Sequence, residues 1–257
     1  MKIEEKQVDL LGERIFCKSW VYNLKSSWII LLHDALGSVA QWKSFPELLC
    51  KETQCNVLAF DRVGYGQSSG SVVPRPINFM HIEANLWMLS LMKALNIINP
   101  IIIGHSDGAS IALMYANQSN CKGLVSIAAH VFVEDITVNS ITAAATQKED
   151  WVKGLKKYHG IRSNEIFDAW NKLWVTPEFK KWNIQDEIDL NNLPTLLIQG
   201  SKDEYGTWDQ INSIAQKANT IEEVKLEGIG HMPHLEDPLK LVKVISPFVG
   251  KVIQETM

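Results

Sequence analysis

Residues 101–109 read IIIGHSDGA, and this stretch decides the fold because three local signals meet in it. The apolar, β-branched run Ile101–Ile103 predicts a buried strand. The pattern G-x-S-x-G follows directly, and apolar residues at helical spacing begin at Ala109. A serine on such a sharp strand-to-helix turn stands clear of the sheet, and the free N–H groups of the helix point toward it. Ser106 is therefore a candidate nucleophile, and the alternative is a serine in a glycine-flanked turn.

Short apolar runs alternate with helical patterns on both sides of this stretch. The runs are mostly continuous, which is typical of strands covered on both faces in a parallel sheet. The other runs are Trp28–Leu32, Val57–Phe60, Leu124–Ile127 and Leu196–Ile198, and the helical patterns are Trp42–Leu49, Met80–Leu95, Ala109–Ala116, Gln210–Ala218 and Leu239–Ile253. This alternation predicts an α/β fold with a mostly parallel sheet and helices on both faces. Lys6–Leu11 and Arg14–Val21 predict an antiparallel hairpin that opens the sheet.

One long segment contains no strand-like run. Residues 131–192 hold four of the nine tryptophans and many charges, which predicts a helical insertion over the sheet. The chain would then divide into a core, residues 1–130 and 193–257, and a cap, residues 131–192. Trp170 and Trp174 are candidate substrate-pocket residues in this cap. The alternative for each is structural packing.

A serine nucleophile needs a base and an acid that orients the base. On a strand-turn-helix serine site of this kind, the chain order is serine, acid, histidine. Asp203 follows a strand-like run that ends at Gly200, which places it at the carboxyl-end rim of the sheet, and Glu204 is the alternative acid. His231 lies in a glycine-rich loop before the last helix, and His234 is the alternative base. Their His-x-x-His spacing lacks an evident third ligand, so no metal is predicted.

Acyl transfer also needs two backbone N–H groups aimed at the developing oxyanion. The residue after the nucleophile, Asp107, is expected to supply one, and Ala35 in the loop HDALGS of residues 33–38 the other. The Asp107 side chain has two interpretations. It caps N–H groups at the start of the following helix, or it pairs with a cationic group on the substrate.

Together these segments resemble the α/β-hydrolase-fold superfamily, in the branch of capped serine hydrolases that includes esterases and C–C hydrolases. The resemblance covers nearly the whole chain and includes DRVGYGQS at residues 61–68, a loop hallmark of the family. It implies an eight-stranded α/β-hydrolase sheet with a helical cap after the sixth strand. It also implies Ser106 as nucleophile, Asp203 as acid and His231 as base, in agreement with the residues.

Two positions distinguish the chain within this superfamily. Members usually have His-Gly where this chain has His33-Asp34, and an aspartate beside the oxyanion hole either turns outward or bends the loop. Dehalogenases and epoxide hydrolases carry aspartate at the position of Ser106. The resemblance therefore implies a serine hydrolase that cleaves carboxylic esters of small, fairly apolar substrates.

Two other functions use the same fold. A C–C bond hydrolase of ring-cleavage products would use the same triad, but its substrate carries several carboxylates and calls for arginine in the pocket. Arg162 is the only arginine of the predicted cap, and Arg62 and Arg75 lie in predicted loops, which favours esters. The alternative of another class is a non-catalytic ligand-binding receptor. Fold alone does not decide the substrate.

Composition narrows the partners. The chain has 257 residues, a formal net charge of −4 and 46% hydrophobic residues, which is ordinary globular usage and argues against nucleic acid or a membrane surface as partner. A small-molecule substrate is expected, and the oligomeric state is unknown. The start MKIEEKQVDL lacks the apolar run of a signal peptide, so a cytoplasmic location is expected. The four cysteines form no C-x-x-C pair, and no cofactor is expected.

Overall fold

In the computed structural model, residues 1–254 are described, so the last three residues of the predicted core range 193–257 lie outside the described residues. The centre of the fold is an eight-stranded sheet in the order β1-β2-β4-β3-β5-β6-β7-β8. The strands are β1 Lys2–Leu10, β2 Glu13–Val21, β3 Trp28–Leu32, β4 Asn56–Phe60, β5 Ile101–His105, β6 Gly123–Ile127, β7 Thr195–Gly200 and β8 Ile221–Leu226. Strand β2 is antiparallel to both neighbours, and all other pairings are parallel. The predicted α/β class and mostly parallel eight-stranded sheet are confirmed.

Helices follow most strands. They are α1 Phe45–Thr53, α2 Phe79–Ile82, α3 Leu89–Ala94, α4 Asp107–Ala116, α5 Asp135–Ala145, α6 Lys148–His159, α7 Ser163–Trp174, α8 Asp209–Ala215, α9 Pro233–Glu236 and α10 Pro238–Gln254. A π-helical turn, Glu83–Met88, joins α2 to α3 within the predicted helix Met80–Leu95. The helix predicted from Trp42 starts later, at Phe45, because Trp42 closes a 3-10 turn and Lys43 has a positive φ of 52°.

Side chains of the central strands alternate between two apolar cores. Ile29 and Leu31 of β3 join the core that includes α1 and α10, whereas Ile30 and Leu32 join the core that includes α2, α4 and α7. All four are fully or almost fully buried. Burial on both faces explains why the strand-like runs are continuous rather than alternating.

No apolar run in the sequence predicts the edge strand β8. Its residues Glu222, Glu223 and Lys225 are exposed, and its polar outer face breaks the apolar run. It pairs along its length with β7, Thr195 to Ile221 and Gly200 to Leu226. A strand held at a sheet edge by backbone pairing needs little apolar sequence of its own.

Helices α5, α6 and α7 lie in sequence between β6 and β7, as expected for residues 131–192. The described part of this segment has no strand, only an isolated bridge between Phe132 and Asn183. One face of α7 is buried, including Phe167 and Trp170. The division of the chain into core and cap stays a prediction.

Candidate active site

Ser106 stands on a sharp turn between β5 and α4. Its φ of 54° and ψ of −123° are unusual for a residue with a side chain. The flanking glycines permit the turn because a Cβ on Gly104 would lie 2.2 Å from the Gly108 carbonyl oxygen, and one on Gly108 would lie 2.2 Å from the Leu32 carbonyl oxygen. Tight packing of strand against helix thus sets where the Ser106 hydroxyl points.

Three side chains from separate loops meet at this turn. His231 Nε2 lies 3.0 Å from Ser106 Oγ, and His231 Nδ1 lies 2.9 Å from Asp203 Oδ1. Because Nδ1–H donates a hydrogen bond to the carboxylate, Nε2 is free to accept a hydrogen bond from the serine hydroxyl. The structure therefore brings together the residues predicted as nucleophile, base and acid. Neither alternative residue joins this chain of contacts. Glu204 is exposed, and the ring of His234 packs against Trp42.

Burial and charge act on this trio in opposite directions. Burial alone would lower the pKa of His231, but the charge and hydrogen bond of Asp203 prevail and raise it above its ordinary value. For Asp203, burial would raise the pKa, but His231 and the Tyr205 amide hold it below its ordinary value. An ionised Asp203 therefore stabilises the positive charge that His231 acquires when it takes a proton.

The loop of residues 33–38 lies beside Ser106 and holds the predicted second oxyanion donor. Asp34 uses two amides of this loop: its Oδ1 accepts from Leu36 N at 2.8 Å, and its carbonyl accepts from Gly37 N at 3.2 Å. Ala35, between them, lines the pocket together with Ser106 and Asp107. Asp107 begins α4, so its N–H has no acceptor within the helix. The two predicted donors thus belong to residues that line the same pocket as Ser106.

The Asp34 side chain corrects the expectation that it turns outward. It folds back over its own loop and is buried, with Oδ2 3.5 Å from His105 Nδ1. The guanidinium of Arg62 donates to the Asp34 carbonyl at 2.7 Å and helps to hold the turn. The loop therefore bends around the carboxylate, as the second expectation had it.

Residues 27–169 match a protein family described as alpha/beta hydrolase fold. The chain belongs to this family. The match covers more than half of the 257 residues, from β3 through the Ser106 turn and into α7.

Individual α/β-hydrolase relatives are distant. Proline iminopeptidase of Saccharolobus solfataricus is 21% identical over 100% of this chain and 96% of its own length. Among solved structures, a membrane phospholipase A, described as a bacterial virulence factor, has a TM-score of 0.80 at 19% identity, covering 97% of this chain and 86% of its own. The enol-lactonase of Burkholderia xenovorans LB400 has a TM-score of 0.76 at 16% identity, covering 95% and 100%. These likenesses establish an α/β-hydrolase fold.

The Ser106 hydroxyl faces a pocket of about 250 Å³ beneath the helical insertion of this α/β hydrolase. Trp170 and Trp174, the two candidate pocket residues, both line it. Trp151 and Tyr205 flank Trp170, with ring centroids 6.1 and 6.4 Å away, and form an aromatic wall with it. The wall ends at His231, whose ring centroid lies 4.8 Å from that of Tyr205.

Among the described residues, acidic side chains and histidines line the pocket. Asp34, Asp107 and Glu204 line it, and no lysine or arginine does among the described residues. The three arginines considered as pocket residues do not line the pocket and contact other groups of the protein. Arg62 bonds the Asp34 carbonyl, Arg75 pairs with Asp107, and Arg162 donates to the Gly66 and Ser68 carbonyls.

Several residues that support the trio were not predicted from the sequence. Gln199 Nε2 donates to the Gly206 carbonyl at 2.7 Å and approaches Asp203 Oδ2 at 3.3 Å, while the Tyr205 amide donates to Asp203 Oδ1 at 2.9 Å. His105 donates from Nε2 to the His231 carbonyl at 2.7 Å. The only sequence signal for these residues is their position next to strand ends.

Within residues 1–254, no group of three or more His, Cys, Asp or Glu side chains is arranged to hold a metal ion. In that same range, every helix is too short or too polar to cross a membrane.

Proposed function

We propose that this α/β hydrolase is a serine hydrolase that cleaves carboxylic esters of small, fairly apolar substrates through an acyl-enzyme. One observation carries the proposal: the continuous chain of contacts from Ser106 Oγ through His231 to Asp203, at 3.0 and 2.9 Å, at the base of an aromatic pocket. The relatives differ in the substrates that their names state, so the choice of esters rests on the pocket.

The proposed reaction has two halves. Ser106 Oγ attacks the ester carbonyl carbon while His231 Nε2 takes the hydroxyl proton, and the amides of Asp107 and Ala35 bind the oxyanion. The tetrahedral intermediate collapses as His231 returns the proton to the leaving alcohol. A water molecule then attacks the acyl-enzyme with His231 as base, and the acid and free serine are released.

The charges of the pocket support esters over the C–C hydrolase alternative. A ring-cleavage product with several carboxylates would find no lysine or arginine among the described residues that line the pocket, and Glu204 would add a carboxylate of its own. A carboxylate that loses its water without gaining a cationic partner opposes binding. A neutral acyl group of modest length, in contrast, would pack on Trp170 and its neighbours.

The test combines an active-site probe with matched substrates. A fluorophosphonate should label the native protein and fail to label Ser106→Ala, and this substitution should lower kcat on a p-nitrophenyl ester by on the order of a million-fold. The folded state of the variant is checked by circular dichroism. Activity of Ser106→Ala within tenfold of the native protein would exclude Ser106 as nucleophile.

Substrate class is tested with two esters of equal length, p-nitrophenyl butyrate and p-nitrophenyl hemisuccinate. The neutral ester should have a kcat/KM at least about tenfold higher, since the hemisuccinate adds a carboxylate. Preference for the hemisuccinate, or turnover of ring-cleavage products with none of esters, would favour the C–C hydrolase. Probe labelling without turnover of any ester would favour the receptor alternative.

A further inference from the structure

A second aspartate–histidine pair lies directly beneath the first. Asp34 Oδ2 is 3.5 Å from His105 Nδ1, and the side chain of His105 is completely buried. The other ring nitrogen of His105, Nε2, lies 2.7 Å from the backbone carbonyl oxygen of His231. His105 thus connects the oxyanion loop to the loop that carries the proposed base.

Hydrogen-bond chemistry fixes one proton of His105. A carbonyl oxygen only accepts, so Nε2 of His105 carries a hydrogen and donates it to His231. If Nδ1 had no hydrogen, its lone pair would face the Asp34 carboxylate across 3.5 Å. Nδ1 has no hydrogen-bond partner among the described residues at this distance, so a hydrogen on Nδ1 would turn that repulsion into attraction and leave the pair with no net charge.

Asp34 is the ionised carboxylate of this pair. Burial would raise the pKa of Asp34, but the contact with His105 and the Leu36 amide outweigh it and hold the pKa well below its ordinary value. The groups that face the His105 ring are Asp34, His231 and His234, with ring centroids of the two histidines 5.1 and 4.7 Å away. Burial keeps the pKa of His234 far below its ordinary value, so that neighbour is neutral.

The position of the pair gives it a consequence for catalysis. Asp34 is next to Ala35, the proposed oxyanion donor, and both residues line the pocket. An uncompensated carboxylate there would repel the negative oxygen of the transition state, because charges interact strongly in a site that excludes water. When His231 gains a proton, each of the two imidazolium rings has its own carboxylate, Asp203 and Asp34.

We propose that Asp34 and His105 form a buried ion pair that positions the His231 loop and keeps the surroundings of the oxyanion hole neutral. Both are positioning residues rather than catalytic ones. The inference rests on the proposed function, since it concerns the same reaction. It assigns a role to an aspartate that stands where relatives usually have glycine.

Isosteric substitutions separate charge from anchoring. In His105→Gln, the side-chain amide keeps a donor near the His231 carbonyl but carries no charge, which strands the Asp34 carboxylate. We expect kcat to fall about 100-fold, comparable to losing an oxyanion donor, with KM nearly unchanged because the oxyanion exists only in the transition state. Asp34→Asn alone should cost less than about tenfold, since Asn keeps an acceptor for Leu36 N.

The double variant is the decisive measurement. Asp34→Asn should restore most of the kcat that His105→Gln removes, because it removes the stranded charge. The matched control is His159, a buried histidine that donates to the Leu36 carbonyl of the same loop at 2.9 Å and accepts from Gly66 N at 3.0 Å. Its ring nitrogens contact backbone groups only, so Asp34→Asn should not rescue His159→Gln.

A second measurement uses the native protein alone, so it depends neither on turnover nor on the folding of a variant. In 15N NMR spectra of the native protein at pH 7.5, both ring nitrogens of His105 should have shifts typical of imidazolium. A neutral His105 ring would overturn the inference, and so would a double variant no faster than His105→Gln. Loss of activity in these variants while Ser106 still reacts with the fluorophosphonate would leave the proposed function standing; only an unreactive Ser106 counts against both.

Discussion

The carboxylate of Asp107 lies 3.5 Å from the guanidinium of Arg75, and the two side chains are only 1% and 6% exposed. Asp107 makes no capping bond at the start of α4, and neither of its carboxylate oxygens has a hydrogen-bond partner among the described residues. Arg75 also stacks on the Phe79 ring, 3.9 Å from its centroid. The Asp107 side chain therefore does not cap α4. Its cationic partner is Arg75 of the same protein rather than a group on the substrate.

This pair predicts a stability effect. Arg75→Met should lower the free energy of unfolding by about 3 kcal/mol, because removing one partner strands a buried charge. The double variant Arg75→Met/Asp107→Asn should recover most of that loss, since neither charge remains. Urea unfolding of both variants measures the two values. A double variant less stable than Arg75→Met would show that the pair is not coupled.

The Asp203–His231 contact predicts the pH dependence of ester hydrolysis. His231 acts as base only when neutral, and its pKa lies above 6.5, so kcat/KM should rise with pH through a midpoint above 6.5. Asp203→Asn removes the charge that stabilises the imidazolium, so the midpoint should move to lower pH. The same change should lower kcat by on the order of 10⁴-fold.

Glu204→Gln is the control for that substitution, since it neutralises the adjacent carboxylate. Glu204 also raises the pKa of His231, but less than Asp203 does. The midpoint should therefore move in the same direction by a smaller amount, with kcat within about tenfold of the native value. A larger loss of kcat in Glu204→Gln than in Asp203→Asn would exchange the two assignments.

Two tryptophans of residues 131–192, Trp170 and Trp182, predict different effects of substitution by alanine. Trp170 lines the pocket, so Trp170→Ala should enlarge it and shift kcat/KM toward longer acyl chains, by about tenfold for each well-placed methylene. Trp182 is equally buried but stacks on Phe179 outside the pocket, with ring planes 9° apart. Trp182→Ala should lower stability by about 3–5 kcal/mol without changing chain-length preference.

These outcomes are read from p-nitrophenyl esters of increasing acyl length and from thermal melts. An unchanged chain-length preference in Trp170→Ala, together with a lower melting temperature, would assign Trp170 to packing alone.

What the sequence reveals depends on how local each signal is. The central strands are recognisable because burial on both faces demands continuous apolar runs such as Trp28–Leu32. Strand β8 leaves no such run, because Glu222 and Glu223 face solvent and backbone pairing with β7 holds it. The sheet order, with β4 outside β3, depends on contacts that no local pattern records.

The same distinction holds for the site. Ser106 and its flanking glycines form one contiguous motif, and Asp203 and His231 each follow glycine-marked chain reversals, so their positions could be predicted. The contacts of Asp107 with Arg75 and of Asp34 with His105 join segments distant in the chain. A charged residue in the sequence does not indicate which distant residue it contacts, so these two pairs could be identified only from the structure.

The last prediction concerns Gly200, where β7 ends beside the His231 loop. A Cβ at this position would lie 2.2 Å from the Gly230 carbonyl oxygen and 2.3 Å from that of Ile229. Both neighbours are backbone, so Gly200→Ala should displace the loop and move His231 away from Ser106. A displacement of about 1 Å is expected to lower kcat about 100-fold. Gly154→Ala is the control: nothing lies within 4 Å of its Cβ position in α6, so it should stabilise the protein by about 1 kcal/mol and leave kcat unchanged. The rate of fluorophosphonate labelling should fall with kcat in Gly200→Ala, because both reactions need the His231 base. Native labelling and turnover in that variant would show that the loop yields without moving His231.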